Sequence, residues 1–307
     1  MDLKKYLTER KQIIDRALEK YFPAPLSAGV GKEQGMEIGA SLQVAIRHSL
    51  FAGGKRIRPI LCMAAFETAG GKGGGILPFA CALEMIHTYS LIHDDLPALD
   101  NDDYRRGKLT CHKAFGEATA ILTGDALLTE AFAVMTDTVP KGQPDRAWLI
   151  LDIVHRVARA AGIAGKVSGQ VVDMAFEGKE ADLPTLEYIH THKTGAMILA
   201  SVQVGARFGQ IGEGSFKALT RYGERIGLAF QIADDILDVE GELNRLGKRP
   251  GCDLSRKKAT YPAVLGIEES RKRARELVDV AVEALSPFGE EADPLREIAR
   301  FIVSRQY

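Results

Sequence analysis

Phe230-Gln231-Ile232-Ala233-Asp234-Asp235-Ile236-Leu237-Asp238 decides how this chain is read. The stretch closes a segment, 215–239, whose apolar residues cover most faces of a helix, the pattern of a helix buried in the middle of a bundle. On such a helix Asp234 and Asp238, four residues apart, share one face about 6 Å apart. One cation could bridge them. An arbitrary Asp-Asp-x-x-Asp is more often a solvated acidic patch. Here Phe230, Ile232, Ala233, Ile236, Leu237 and Val239 leave little water-facing surface around the acids. Uncompensated carboxylates in that setting are costly, so cations or basic ligands are expected beside them.

Helical periodicity continues outward from this segment. Leu3, Leu7, Ile13, Ile14, Ala17, Leu18 and Tyr21 recur at spacings of three and four until Pro23 and Pro25 stop the first helix. Segments near 36–51, 57–69, 76–95, 117–138, 145–176, 192–209, 259–285 and 293–305 are rich in good helix formers. Glycine and proline punctuation places loops at 70–75, 140–142, 178–184 and 241–252. Period-two strand patterns are scarce, and one domain over residues 1–307 is expected.

Forty Lys and Arg nearly balance 41 Asp and Glu, so nothing in the overall charge recruits nucleic acid or an anionic membrane. The N-terminus lacks the unbroken apolar core of a signal peptide. No uninterrupted apolar run approaches roughly 18 residues. Cys62, Cys81, Cys111 and Cys252 form no CxxC pair, which argues against a zinc site or a disulfide framework. A cytoplasmic protein without stable membrane insertion is expected.

A second acid cluster, His93-Asp94-Asp95-Leu96-Pro97-Ala98-Leu99-Asp100, ends segment 76–95. Six residues of ideal helix rotate Asp100 about 240° away from Asp94. Pro97 cannot continue the ladder, so the chain is expected to bulge there and carry Asp100 back beside Asp94. An EF-hand reading fails because Arg105 stands where glycine is required. Hard carboxylates without His or Cys partners favour Mg²⁺, which typically joins one or two carboxylates to substrate phosphates. Direct contact between phosphate and carboxylate is implausible, since each like-charged pair at about 4 Å costs about 4 kcal/mol at an effective dielectric near 20.

Phosphate donors are supplied by Gly53-Gly54-Lys55-Arg56-Ile57-Arg58-Pro59 and by Arg105-Arg106-Gly107-Lys108. The glycines allow close backbone approach, and arginine grips phosphate bidentately. Neither stretch is a Walker A loop, because Arg56 follows Lys55 and Ser49 occupies the place of the first glycine. Taken singly, Gly-Gly-Lys-Arg reads as a solvated turn, His87 as a core histidine, and Lys248 and Lys258 as loop lysines.

In combination these residues resemble the trans-isoprenyl diphosphate synthases, and within them the bacterial farnesyl and geranylgeranyl synthases. The resemblance runs over most of the chain and is strongest at Gly53 to Pro59, His87 to Gly107, Cys111 to Leu128, His192 to Thr194, Phe230 to Asp238 and Lys258 to Pro262. It implies an all-α helical bundle around a deep central cavity, the isoprenoid synthase fold, with the aspartate motifs facing each other across its mouth. By the resemblance, Asp94, Asp95, Asp100, Asp234 and Asp238 are the metal set, holding three Mg²⁺ when substrate is bound. These five with Lys193 and Asp235 form the catalytic set. Lys55, Arg58, His87 and Arg106 would hold isopentenyl diphosphate; Arg105, Lys193, Thr194, Gln231, Lys248 and Lys258 would hold the allylic diphosphate. Leu109 replaces a common proline and Ala233 a frequent glutamine, neither in a charged role.

The implied reaction ionises the allylic C–O bond, joins the cation head-to-tail to isopentenyl diphosphate and loses a proton, in a site that excludes water. Tyr89, with Ser90 beside it, is the expected floor that stops growth near the C15 farnesyl chain; geranylgeranyl diphosphate is the alternative product. A terpene cyclase would have little need for Gly53 to Arg58. A non-catalytic partner subunit would be expected to have lost acids or bases that are all present here. The family suggests a homodimer.

Overall fold

The computed structural model describes residues 1–24, 34–139, 142–240 and 260–304, and for 34–40 the backbone alone. Asp2 accepts from the Lys5 backbone N–H (3.0 Å) and caps α1 (Leu3–Tyr21). There follow α2 (Gln34–Leu50), α3 (Ile57–Thr68), α4 (Leu77–Asp94), α5 (Cys111–Phe115), α6 (Glu117–Thr136), α7 (Pro144–Ala161) and α8 (Lys166–Phe176). The chain continues through α9 (Leu183–Ile189), α10 (Ala196–Phe208), α11 (Glu213–Glu240), α12 (Tyr261–Leu265), α13 (Ile267–Ala284) and α14 (Asp293–Ser304). Among the described residues the strands amount to one short hairpin, Tyr104–Arg105 with Lys108–Leu109. Its turn residues Arg106 and Gly107 have φ of 52° and 75°, the paired positive values of a type I′ turn. The architecture is all-α, as expected.

Helix α4 runs through the middle because its sequence has little polar surface to offer water, whereas α11 is amphipathic at its start, with Lys217, Arg221 and Glu224 exposed, and is enclosed on all faces only from Arg225 to Val239. In α4, Phe79 to Leu83, Met85 and Ile86 are fully buried, and the helix packs against α6 and α3. Helix α11 packs against α10 and α13. One apolar cluster extends from Ile14 in α1 to Ile302 in α14. Both acid clusters therefore hang from the ends of core helices, where any carboxylate must find a partner.

The core also holds a charged knot. Arg56 donates to Glu84 of α4 (2.7 Å), to Asp15 of α1 (2.9 Å) and to the Leu50 carbonyl (2.8 Å), with Arg56 3% and Glu84 1% exposed. Arg56 adopts a left-handed conformation, φ 54°, which costs a non-glycine residue about 1–3 kcal/mol unless the surroundings impose it. The knot pins Gly53 to Pro59 against α4.

Three expected helices are divided. Segment 145–176 breaks between Gly162 and Gly165 into α7 and α8; segment 259–285 breaks at Gly266, φ 80°; and the start of segment 192–209 belongs to a π-helical turn, His190–Gly195. Two helices, Gly74–Asp94 and Glu117–Thr136, are long and apolar enough by composition to cross a membrane. Single charges such as Glu84, Asp125 and Glu130 interrupt their apolar runs. Most of the first is buried inside the protein.

Candidate active site

The regular ladder of α4 ends at Asp94, and the next turn folds back on it. Leu96 N–H donates to His93 O (3.1 Å), Asn101 N–H to Leu96 O (3.0 Å) and Asp100 N–H to Asp94 O (2.8 Å). The break around Pro97 thus returns the Asp100 backbone to Asp94, as the spacing demanded. Asp94 and Asp95 are 8% and 3% exposed. Burial pushes the Asp95 carboxyl up to about 6, even though the hydrogen bonds and positive charge of Arg105 oppose this. Arg105 Nε lies 2.7 Å from Asp95 Oδ1. Asp94 Oδ2 accepts instead from Lys166 Nζ at 3.2 Å.

The two basic stretches meet. Arg106 Nη1 donates to the Gly53 carbonyl, and a Cβ on Gly54 would fall 2.6 Å from the Arg106 guanidinium carbon. A φ of 114°, a conformation that L side chains rarely adopt, is what suits position 54 to glycine. Behind the first acid cluster, Thr88, Ile92, Asp95, Arg105, Arg106 and Cys111 are among the residues lining a small pocket that is partly open to solvent.

His87 is surrounded by cations. Burial first, then the charges of Arg58, Arg106, Lys166 and Arg105, hold its imidazole well below the ordinary value. Burial likewise lowers Arg58, with Glu84 and Asp234 pulling the other way. Asp234 therefore acts on Arg58, Arg58 on His87 and Lys166, and Lys166 bonds Asp94. The acid clusters border one shared group of cations.

The second cluster splits by face. Asp234 is half-buried and Asp238 is 3% exposed, whereas Asp235, turned about 100° from Asp234, points back into the protein. Asp235 Oδ2 lies 2.9 Å from His190 Nε2 and accepts from the Tyr261 backbone N–H (3.0 Å); its Oδ1 accepts from Gln231 Nε2 (3.0 Å). Gln231 Oε1 in turn accepts from Thr194 (2.8 Å). This chain ties the π-helical turn to α11. π-Helical turns are rare and recur at functional sites; this one carries Lys193, whose Nζ bonds Asp173 at 2.6 Å. Helix α8 approaches so closely that a Cβ on Gly169 would lie 2.2 Å from the Lys193 nitrogen.

Of the other expected site residues, Lys55 is exposed and Asp100 half-buried. The Ser90 hydroxyl donates to the His87 carbonyl (2.8 Å). Tyr89 is 8% exposed and packs edge-on to His93, ring centroids 5.6 Å apart. Lys248 and Lys258 lie outside the described residues. Lys166 was not foreseen as a site residue: on a continuous helix over 145–176 it is one lysine among several polar positions. The paired glycines 162 and 165 were the signal, because the break they make starts α8 at Lys166.

A helical bundle in which two buried acid clusters share one group of cations and a neutral histidine defines an enzyme of polyanionic substrates. The comparisons narrow the class. Residues 40–293 match the family model Polyprenyl synthetase. The chain is 48% identical to the geranylgeranyl diphosphate synthase of Cyanophora paradoxa, covering 98% of this chain and 95% of that protein. It is 43% identical to the farnesyl diphosphate synthase of Geobacillus stearothermophilus, covering 100% and 99%. A solved apo structure of an FPP/GFPP synthase from Zymomonas mobilis superposes with a TM-score of 0.83 at 38% identity, covering 98% and 99%. This chain belongs to the polyprenyl synthetase family and is a trans-prenyltransferase.

The His87 environment has a measurable consequence. With its folded value depressed below 6.5, the unfolded chain takes up a proton at lower pH that the folded protein refuses. The stability contribution is therefore complete above pH 6.5 and is lost as pH falls below it. Replacing His87→Asn should flatten that acid limb in urea unfolding. An NMR titration in which the His87 imidazole protonates at or above 6.5 would overturn this assignment.

Proposed function

We propose that this chain condenses isopentenyl diphosphate head-to-tail with dimethylallyl and geranyl diphosphates, releasing diphosphate and forming mainly (2E,6E)-farnesyl diphosphate. Geranylgeranyl diphosphate is the alternative end point, and relatives bearing both names support chain elongation. The observation that carries the reading is the cation group shared by the two acid clusters. By the resemblance, Arg105, Lys193, Thr194 and Gln231 would hold one diphosphate and Lys55, Arg58, His87 and Arg106 the other. Lys248 and Lys258 are assigned to the allylic side on the sequence alone. Neutral His87 can offer phosphate a hydrogen bond without adding repulsion to Arg58 and Arg106.

No three His, Cys, Asp or Glu side chains among the described residues stand close enough to enclose an ion. Hard carboxylates at Asp94, Asp95, Asp100, Asp234 and Asp238 nevertheless fit Mg²⁺, which takes one or two carboxylates and completes its shell with water and substrate phosphate. Asp94 already faces a cation, the Lys166 ammonium. When bound, magnesium supplies charge that stabilises the departing diphosphate. The cationic side chains hold both diphosphates in place, and the apolar faces of α4 and α11 keep water from the allylic cation. Asp235, occupied by three donors, acts by holding Gln231 and the π-helical turn in position.

Incubation with Mg²⁺, dimethylallyl diphosphate and isopentenyl diphosphate should yield a C15 product. Asp94→Ala and Asp234→Ala should each lower turnover by at least about a hundredfold while the circular dichroism spectrum stays helical. Wild-type rates in either variant would remove the metal role.

Tyr89, buried five residues before Asp94, is proposed as the floor of the growing chain's site. Tyr89→Ala should shift products to C20 or longer; an unchanged C15 product would remove Tyr89 from that role.

We further read residues 1–307 as one folded unit that works in the cytoplasm as a homodimer, without stable membrane insertion. Helix α6 supports the dimer, since Ile121 and Leu122 on this apolar helix are 44% and 58% exposed. Analytical ultracentrifugation should give twice the chain mass, and Leu122→Glu should shift the equilibrium to monomer. A wild-type protein that is monomeric at micromolar concentration contradicts the assignment.

A further inference from the structure

Lys166 occupies a position that no expected role explains. It is the first residue of α8, placed there by the break between Gly162 and Gly165, and its Nζ lies 3.2 Å from Asp94 Oδ2. Both side chains are 12% exposed, so the pair is shielded from bulk water and salt screens it weakly. The ammonium also feels Lys193 and Arg58, members of the two diphosphate cradles. Asp95, the neighbouring acid, turns to Arg105 instead. Each carboxylate at the end of α4 thus holds a protein cation of its own.

We propose that Lys166 is the built-in counter-ion of Asp94, which a divalent cation must displace in order to bind at the first aspartate cluster. The inference rests on the reading of Asp94 as a metal ligand. Its physical basis is competition for one carboxylate. An Asp94 that faces an ammonium in the metal-free protein offers an incoming ion less net attraction than a carboxylate without one. Once displaced, the four-carbon arm of Lys166 stays among the cations of the diphosphate cradles, where a phosphate oxygen can accept from it. Lys166 so acts through Asp94 and is a positioning residue. Arg105 could perform the same service for Asp95, but its bond is made through two oxygens and is held more firmly.

The test is direct metal binding, independent of turnover. Mn²⁺ is titrated into the full-length protein without diphosphate, so that only the Lys166–Asp94 pair is at stake, and free Mn²⁺ is read by electron paramagnetic resonance. Lys166→Met keeps the length and apolar stem but removes the charge; it should tighten Mn²⁺ binding by roughly fivefold or more, the scale of a partly buried ion pair. Lys166→Arg should restore wild-type affinity. In the absence of metal, Lys166→Met should melt at lower temperature than wild type, because Asp94 loses its partner, and should gain more on adding Mn²⁺. Unchanged or weaker Mn²⁺ binding in Lys166→Met, in a protein that retains its helical spectrum, overturns the counter-ion role. Asp94→Ala separates the two readings: if that variant binds Mn²⁺ as wild type does, it is the assignment of Asp94 as a ligand that fails.

Discussion

Carboxylates at the ends of two apolar helices have to be balanced by positive charge, and most of what surrounds this site follows from that requirement. Helix α4 and the C-terminal half of α11 are buried because their sequences present apolar groups on most faces. Their terminal acids are drawn in with them, out of the water that would otherwise solvate them. The protein answers with Arg105 on Asp95 and Lys166 on Asp94, while the charge of Asp234 acts on Arg58. A site balanced in this way holds opposite charges close together before substrate arrives.

Burying so many charges is possible because a second set of polar residues fixes the walls. Arg56, Glu84 and Asp15 hold the segment that carries Lys55 and Arg58. Asp235, Gln231, Thr194 and His190 hold the π-helical turn that carries Lys193. These groups are satisfied by one another and by backbone, so they contribute rigidity at little cost in unpaired polar atoms. The double aspartate of the second motif thus divides its labour by helical rotation: Asp234 faces the cations and Asp235 anchors the wall. Glycine completes the arrangement at Gly54, whose φ of 114° disfavours any side chain, and at Gly169, where a side chain would collide with the backbone of Lys193.

Much of this was legible in the residues themselves. The helical class, the two acid motifs and the need for a break near Pro97 follow from local rules: periodicity, four-residue spacing and the missing N–H of proline. The return of Asp100 to Asp94 O is the outcome of such a rule. Basic stretches could be named as phosphate donors, but not shown to meet, since Arg106 and Gly53 are more than fifty residues apart. The division of 145–176 into α7 and α8 is not plain in the sequence, because Gly162 and Gly165, at about 1 kcal/mol each against alanine, stand within good helix formers on both sides.

The sequence by itself determined the fold class, the acids and their spacing, and the family, because these depend on residue type and on short-range geometry. Only the tertiary structure decided which partner each charge takes. Lys166 and Asp94 are 72 residues apart, and His190 and Asp235 are 45 apart. Packing of α8 and α11 against their neighbours sets those pairings, and a buried charge takes the partner that packing places within reach.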